Sequence, residues 1–227
     1  MSKISPKTKK KQGRGKGHGK DYKPHIKARE FNSKGTCSNI VDWKTGRQME
    51  LLSQIELSVF MQLRWDDTVD EIQEQYPLNL DEMNFLIQVL NDKLEKSGKK
   101  KLSIKYDEWH PPTSDMVVYR EGKISEVISI KYDKTALSQN EIESLWVEKH
   151  YWGRRGCKFR LLDRSDINEI LIKNLRLVTE YYDISRVHDS ISLLKHKIAT
   201  KEIIVDMTSS LLDFRELMPL LMEKQYE

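Results

Sequence analysis

The segment SDMVVYREGKISEVISIK, from Ser114 to Lys131, constrains the fold more than any other part of the chain. Two runs rich in apolar and β-branched residues flank a Glu-Gly-Lys turn, which is the pattern of a β-hairpin. Because side chains alternate along a strand and the turn sets the two strands side by side, Asp115 lies at the same sheet end as Ser129 and Lys131. The hairpin therefore predicts a sheet with charged residues gathered at one end.

The segments around the hairpin predict alternating helices and strands. Apolar residues at spacings of three and four predict a helix from Gln48 to Trp65. The pattern as a whole is typical of a mixed α/β domain followed by a mostly helical C-terminal part. The other predicted elements are a strand ending at Pro77, a helix capped by Asn79 or Asp81, strands at 100–109, 157–163 and 201–207, and a helix after Ser138.

Positive charge is concentrated at the N-terminus. Residues 1–30 contain eleven Lys or Arg and two acidic residues, a net charge of +9, whereas the whole chain carries +4. Glycines at positions 13, 15, 17 and 19 predict a flexible basic ribbon. Such a ribbon binds phosphate backbones by releasing counterions, or it is a solubilising tail. Membrane insertion is disfavoured because the ribbon has no apolar face.

Several classes of protein are disfavoured by composition. The chain has no run of 18 apolar residues, so we expect no membrane span, and the basic N-terminus lacks the apolar stretch of a secretory signal. The two cysteines, Cys37 and Cys157, have no metal-binding spacing. A reduced, cytosolic setting is therefore expected.

Glu56 lies on the apolar face of the predicted helix, four residues after Leu52 and three before Val59. A carboxylate there is either one half of a buried salt bridge or a metal ligand. Glu56 and Asp115 together supply the hard oxygen ligands that Mg²⁺ prefers, and Lys131 could orient a water or stabilise a charged transition state. This set suits metal-dependent phosphodiester hydrolysis. An ordinary cross-strand ion pair between Asp115 and Lys131 is the alternative.

Seven short motifs, in order and at similar spacing, resemble the TnsA family of restriction-endonuclease-like subunits of heteromeric cut-and-paste bacterial transposases. The resemblance covers roughly residues 13–175, and it rests on the set of motifs rather than on any one of them. The motifs are GRGKGHGKDY, KTGR, LLSQIELSVFMQLRW, IQEQYPL, TSDMVVY, ISIK and EKHYW.

The resemblance implies a restriction-endonuclease-like mixed sheet flanked by helices, with a small winged-helix-like C-terminal domain. It implies Glu56, Asp115 and Lys131 as catalytic residues. It further implies Mg²⁺, with Mn²⁺ able to substitute, held by Glu56, Asp115 and the carbonyl of Ile130. The sequence departs from the family at Ser129, where many relatives carry an acid or an amide. Glu148 in the EKHYW motif could also contribute to the site.

The family function is cleavage of the 5′, non-transferred strand at transposon ends. The implied partners are double-stranded DNA, an RNase-H-like transposase subunit and an AAA+ regulatory ATPase, in the bacterial cytoplasm and at the nucleoid once assembled. The implied division is a DNA-binding arm at 1–30, a catalytic domain at 31–162 and a partner or DNA-interaction domain at 163–227. The predicted DNA contacts are Lys9, Lys10, Lys11, Arg14, Lys16, Lys20, Lys44 and Arg47.

The sequence leaves two other functions open. A standalone endonuclease of the same fold would cut DNA without partners, although the N-terminal and helical motifs argue against it. A catalytically silent DNA-binding adaptor would bridge the transposase and the ATPase, and Ser129 is the residue that favours this alternative.

Overall fold

The computed structural model describes residues 4–30 and 38–223. Its strands are β1 (Ser38–Val41), β2 (Gln48–Leu51), β3 (Glu71–Pro77), β4 (Thr113–Arg120), β5 (Lys123–Ile130) and β6 (Lys158–Leu162). Its helices are α1 (Pro6–Lys11), α2 (Gln54–Trp65), α3 (Leu80–Lys96), α4 (Gln139–Gly153), α5 (Glu169–Val178), α6 (Ser190–Ala199) and α7 (Phe214–Glu223).

A four-stranded mixed sheet with the order β3-β4-β5-β6 forms the centre of the fold. The first three strands are antiparallel neighbours, and β6 runs parallel to β5 after a crossover through α4. Strands β1 and β2 form a separate antiparallel pair. The predicted hairpin, the strand ending at Pro77 and the strand within 157–163 are confirmed.

Helices cover both faces of the sheet. On one face, a core cluster joins the sheet to α2 and to the C-terminal helices, and Phe60, Ile128 and Leu194 are fully buried in it. On the other face, a second cluster joins the sheet to α3 and α4 around Val117 and Trp152. This layered arrangement confirms the predicted mixed α/β fold. The helices after β6 share the first core, and the boundaries of the three predicted domains stay predictions.

The predicted helix from Gln48 begins instead at Gln54. Residues 48–51 form β2, because Met49 and Leu51 alternate into the core and are both fully buried. Ser53 then caps α2, and its Oγ accepts a hydrogen bond from the Glu56 N–H at 3.1 Å. The cap fixes Glu56 in the first turn of the helix.

Two predicted strands are wrong, and β1 was not anticipated. In residues 100–109, the N–H groups of Ser103 and Ile104 donate to the Glu143 carboxylate at 2.6 and 3.2 Å, so a side chain takes the place of a neighbouring strand. In residues 201–207, Lys201 has a φ of 61°. The Ile203 N–H donates back to the Lys197 carbonyl at 3.0 Å. That segment therefore folds against α6 instead of extending.

The N-terminal segment packs on the sheet, which corrects the prediction of a flexible ribbon. Its four glycines, 13, 15, 17 and 19, have φ values of 55–93°, so the turns need them. A Cβ on Gly15 would lie 2.2 Å from the Pro77 ring. Tyr22 is buried and donates its hydroxyl to the Glu74 carbonyl at 3.0 Å. We call residues 13–30 the docked arm.

Among residues 4–30 and 38–223, no helix combines the length and apolar character that a membrane crossing requires. Cys157 is a half-buried free thiol, and Cys37 lies outside the described residues. The helices predicted after Asn79 and Ser138 are confirmed, since each of these residues caps its helix with its side chain.

Candidate active site

A cavity of about 380 Å³ opens where α2 and strands β3, β4 and β5 meet. Glu56 from α2, Asp115 from β4, Ile130 at the end of β5 and Lys131 directly after it all line this cavity. These are the residues predicted to form the catalytic and metal sites. The fold brings together groups that are far apart in the sequence.

Glu56 is almost completely buried, with an exposed fraction of 7%. Its Oε2 accepts hydrogen bonds from the Leu52 N–H at 2.9 Å and from the Gln75 amide at 3.3 Å, and its Oε1 accepts one from the Ser53 hydroxyl at 3.3 Å. Burial, followed by repulsion from the Asp115 carboxylate, raises the pKa of Glu56 to about 8. The predicted salt-bridge alternative does not apply, because Glu56 has no basic partner among the ion pairs of the described residues.

Asp115 is held at the point where β4 begins and β5 ends. Its Oδ2 accepts a hydrogen bond from the Ile130 N–H at 2.6 Å. Burial raises the pKa of Asp115, although the nearby Lys131 charge, the Ile130 N–H and the Gln75 side chain all favour its ionised form. The Lys131 backbone is fixed by its N–H, which donates to the Leu162 carbonyl of β6 at 2.9 Å. Lys131 acts on the Asp115 carboxylate through its charge, although the two side chains form no ion pair among the described residues.

The donor set in the cavity suits a small, hard divalent cation. Two carboxylates share the cavity, and repulsion from the Asp115 charge raises the pKa of Glu56. A bound cation would relieve this repulsion. Within the described ranges, no group of three or more His, Cys, Asp or Glu residues could hold an ion. Mg²⁺ typically binds through one or two carboxylates and keeps several waters. Glu56 and Asp115, with the Ile130 carbonyl, fit that requirement.

Gln75 is the cavity residue that sequence reasoning missed. It lies in β3, is 2% exposed and has a φ of 49°, in the left-handed region. Its amide donates to Glu56 at 3.3 Å, and its side chain favours the ionised form of Asp115. A glutamine inside a strand pattern carries no signal of this kind. In the sequence β3 shows three consecutive polar residues, Gln73, Glu74 and Gln75, and only the structure shows that all three are buried.

Ser129, the position that departs from the family pattern, is not directed at the two cavity carboxylates. Its hydroxyl donates to Glu148 Oε2 at 2.6 Å, and the Ser114 hydroxyl donates to Glu148 Oε1 at the same distance. The Trp152 indole N–H donates to Ser114 at 2.8 Å. Burial raises the pKa of Glu148 to about 7. Glu148 therefore forms a buried polar cluster between α4 and the sheet.

Two of the predicted DNA contacts are buried in ion pairs. Arg14 pairs with Glu30 at 2.5 Å and donates to the His25 carbonyl at 3.2 Å. Arg47 pairs with the fully buried Glu74 at 2.6 Å. Through these ion pairs the two arginines anchor the docked arm and the β1–β2 turn. Both also line a groove beside the docked arm, and the prediction that they contact DNA stays a prediction.

The predicted lysine contacts remain at the surface. Lys10, Lys11, Lys16 and Lys20 are exposed, whereas Lys9 lies 3.5 Å from the His25 ring and Lys44 pairs with Asp67 at 2.8 Å. A groove of about 580 Å³ beside the docked arm is lined in part by Lys11, Lys20, Lys23 and Lys27. The basic surface is therefore carried by lysines on a folded segment.

No model of a known protein family matches this chain. The chain is 32% identical over 166 residues to the transposon Tn7 transposition protein TnsA of Escherichia coli. The matched region covers 73% of this chain and 58% of the relative, so the chain spans less than two thirds of the relative's length. The identity agrees with the motifs found in the sequence and with the mixed α/β sheet. The chain is a TnsA-like protein.

Proposed function

We propose that this protein is the Mg²⁺-dependent endonuclease subunit of a transposase, which cleaves the 5′, non-transferred strand at transposon ends. The observation that carries the proposal is the shared cavity, which is lined by Glu56 of α2, Asp115 of β4 and Lys131 directly after β5. The similarity to a transposition protein supports the biological setting.

In this proposal, Glu56, Asp115 and the Ile130 carbonyl hold the cation. When bound, Mg²⁺ supplies Lewis-acid stabilisation of phosphate oxygens and lowers the pKa of a water molecule. Three hydrogen bonds hold the Glu56 carboxylate, and the Ile130 N–H holds that of Asp115. The site is thus preorganised, which limits the reorganisation needed during the reaction.

Lys131 is the positive side chain of the proposed site. During hydrolysis, a water oxygen bonds to phosphorus while the bond to one ester oxygen breaks and that oxygen takes up a proton. Negative charge grows on the phosphate in the transition state, and the Lys131 ammonium stabilises it and helps to orient the water. Manganese, which also takes oxygen ligands, is expected to substitute for magnesium.

The docked arm, α1 and the β1–β2 turn supply the proposed DNA surface. Lys9, Lys10, Lys11, Lys16, Lys20 and Lys44 bind the phosphates of transposon-end or flanking DNA, which positions the duplex without reading its sequence. An RNase-H-like transposase subunit that acts on the 3′ ends and an AAA+ ATPase are the proposed protein partners. Residues 163–227 are the proposed contact region for a partner or for DNA, and the proposed location is the bacterial cytoplasm and nucleoid.

The test is strand-specific cleavage of a supercoiled plasmid carrying the element's end sequences, with Mg²⁺, the partner transposase and the ATPase. Asp115→Ala is compared with wild type and with Asp107→Ala, a control at an exposed loop aspartate. We expect 5′ cuts to vanish only in Asp115→Ala while 3′ cuts persist. Identical 5′ cutting by Asp115→Ala would remove this residue from the chemistry. No 5′ cutting by wild type would favour the bridging adaptor.

A further inference from the structure

Gln75 occupies an unusual position in β3. It is 2% exposed, it lines the cavity, and its φ of 49° is in a region that non-glycine residues rarely adopt. The Glu74 and Tyr76 positions on either side of it pair with Met116 and Ser114 of β4. The unusual backbone conformation therefore affects a single residue within an otherwise paired strand.

The Gln75 side chain lies beside both carboxylates of the cavity. Its Nε2 donates to Glu56 Oε2 at 3.3 Å, and the same side chain favours the ionised form of Asp115. A primary amide has two N–H groups, so one amide nitrogen can serve two carboxylates. The amide carries no charge, so it neither competes with a cation, as a lysine would, nor adds a third negative charge.

We propose that Gln75 is a positioning residue of the cation site, which holds the carboxylates of Glu56 and Asp115 in the arrangement that a divalent ion requires. The inference rests on the proposed function, because it assigns the ion to these two carboxylates. Groups that orient metal ligands by hydrogen bonding commonly change metal affinity or activity by about 10- to 100-fold when they are removed.

The docked arm holds the backbone of Gln75. The His25 N–H donates to the Gln75 carbonyl at 3.2 Å, and Ile26 of the arm lines the same cavity. One residue earlier, the Glu74 carbonyl accepts the Tyr22 hydroxyl. A strained conformation persists only where its surroundings hold it. The basic segment and the cation site therefore meet at Gln75, so the arm is a structural support of the site.

The test measures Mn²⁺ binding to the full chain without DNA, from the electron paramagnetic resonance signal of free Mn²⁺. Gln75→Met keeps the side-chain length and removes both donors, and we expect it to bind Mn²⁺ about 10- to 100-fold more weakly than wild type. Gln73→Met is the matched control, because Gln73 is equally buried in β3 but contacts Glu71 and Gly17 instead. It is expected to bind Mn²⁺ as wild type does.

Two further readouts separate positioning from a general structural role. Gln75→Asn, which keeps the amide, is expected to recover part of the Mn²⁺ affinity. The Mn²⁺ concentration for half-maximal DNA cleavage is expected to rise in Gln75→Met by the same factor as its dissociation constant, while DNA affinity in EDTA stays unchanged. If Gln75→Met does not fold, Gln75→Gly carries the same prediction, because glycine readily adopts a φ of 49°.

Two results would overturn the inference, and they are distinguishable. Wild-type Mn²⁺ affinity in both Gln75→Met and Gln75→Gly would remove Gln75 from the site and leave the proposed function intact. The absence of Mn²⁺ binding by wild type would instead overturn the proposed cation site, and the role of Gln75 with it.

Discussion

The protonation of Glu148 is expected to control how the free energy of unfolding changes between weakly acidic and neutral pH. The side chain is 6% exposed, and its two oxygens accept hydrogen bonds from Ser114 and Ser129. Burial raises its pKa from 4.5 to about 7, with a further increase from Asp115 that Lys131 opposes. Folded protein therefore keeps a proton on Glu148 at pH values where unfolded protein has already released it.

The sign and size of the effect follow from this difference. Between pH 4.5 and about 7 the unfolded state binds one proton fewer at Glu148 than the folded state, so stability falls as pH rises through this window. One pKa unit corresponds to about 1.4 kcal/mol, and the difference amounts to about 3 kcal/mol. Glu148→Gln cannot ionise, and its amide can still exchange hydrogen bonds with both serine hydroxyls. The free energy of unfolding of Glu148→Gln should therefore not fall as pH rises through this window.

The assay is urea unfolding of wild type and Glu148→Gln at several pH values from 5 to 8. We expect the variant to gain stability relative to wild type as pH rises, by about 3 kcal/mol at pH 8. Glu143→Gln, on the same helix, is the control with the opposite sign. Burial acts to raise the pKa of Glu143, but hydrogen bonds from Gln139 and Ser103 hold it below its ordinary value.

The ionised form of Glu143 thus stabilises the fold above pH 4.5, and this contribution is lost as pH falls through its lowered pKa. Replacing it with glutamine should be most destabilising at neutral pH. A stability difference between wild type and Glu148→Gln that stays constant from pH 5 to 8 would refute the assignment of a buried, protonated Glu148.

Three further predictions concern the buried ion pair, the docked arm and the basic surface. Arg47→Met leaves the Glu74 carboxylate buried and unpaired, and should lower the free energy of unfolding by about 3–5 kcal/mol in urea titrations; a loss below about 1 kcal/mol would contradict this. Gly15→Ala should destabilise by at least about 1 kcal/mol more than Gly13→Ala, since both have similar φ but only Gly15 contacts Pro77; equal losses would argue against docking of the arm. In fluorescence anisotropy, the plot of log binding constant against log salt concentration should be less steep for Lys16→Ala than for wild type, by about 0.9. A slope as steep as that of Lys123→Ala, an exposed control, would exclude a phosphate contact by Lys16.

The sequence carried enough information to find the main catalytic candidates. The hairpin has a turn signal and alternating strands, so the meeting of Asp115 and Lys131 could be anticipated from local geometry. Glu56 was visible because a carboxylate on an apolar helix face breaks the amphipathic pattern. In each case the regular spacing of residues along a strand or a helix indicates which face carries the side chain.

Features that depend on long-range packing could not be predicted in this way. Glycines spaced by one residue suit both a flexible linker and a series of tight turns, and the contact of Gly15 with Pro77 decides between them. The burial of Arg14 and Arg47 likewise depends on distant carboxylates, Glu30 and Glu74. Gln75 has a φ that no residue pattern indicates, because its conformation is held by the arm packed against it.

The central claim is that Glu56 and Asp115 hold the cation used by the proposed nuclease. The most direct measurement is anomalous diffraction from crystals of the protein soaked in Mn²⁺. We predict one peak in the cavity at about 2.1 Å from carboxylate oxygens of both residues, and its loss in Asp115→Asn. A cavity without a peak at saturating Mn²⁺, or a peak that persists unchanged in Asp115→Asn, would contradict the account.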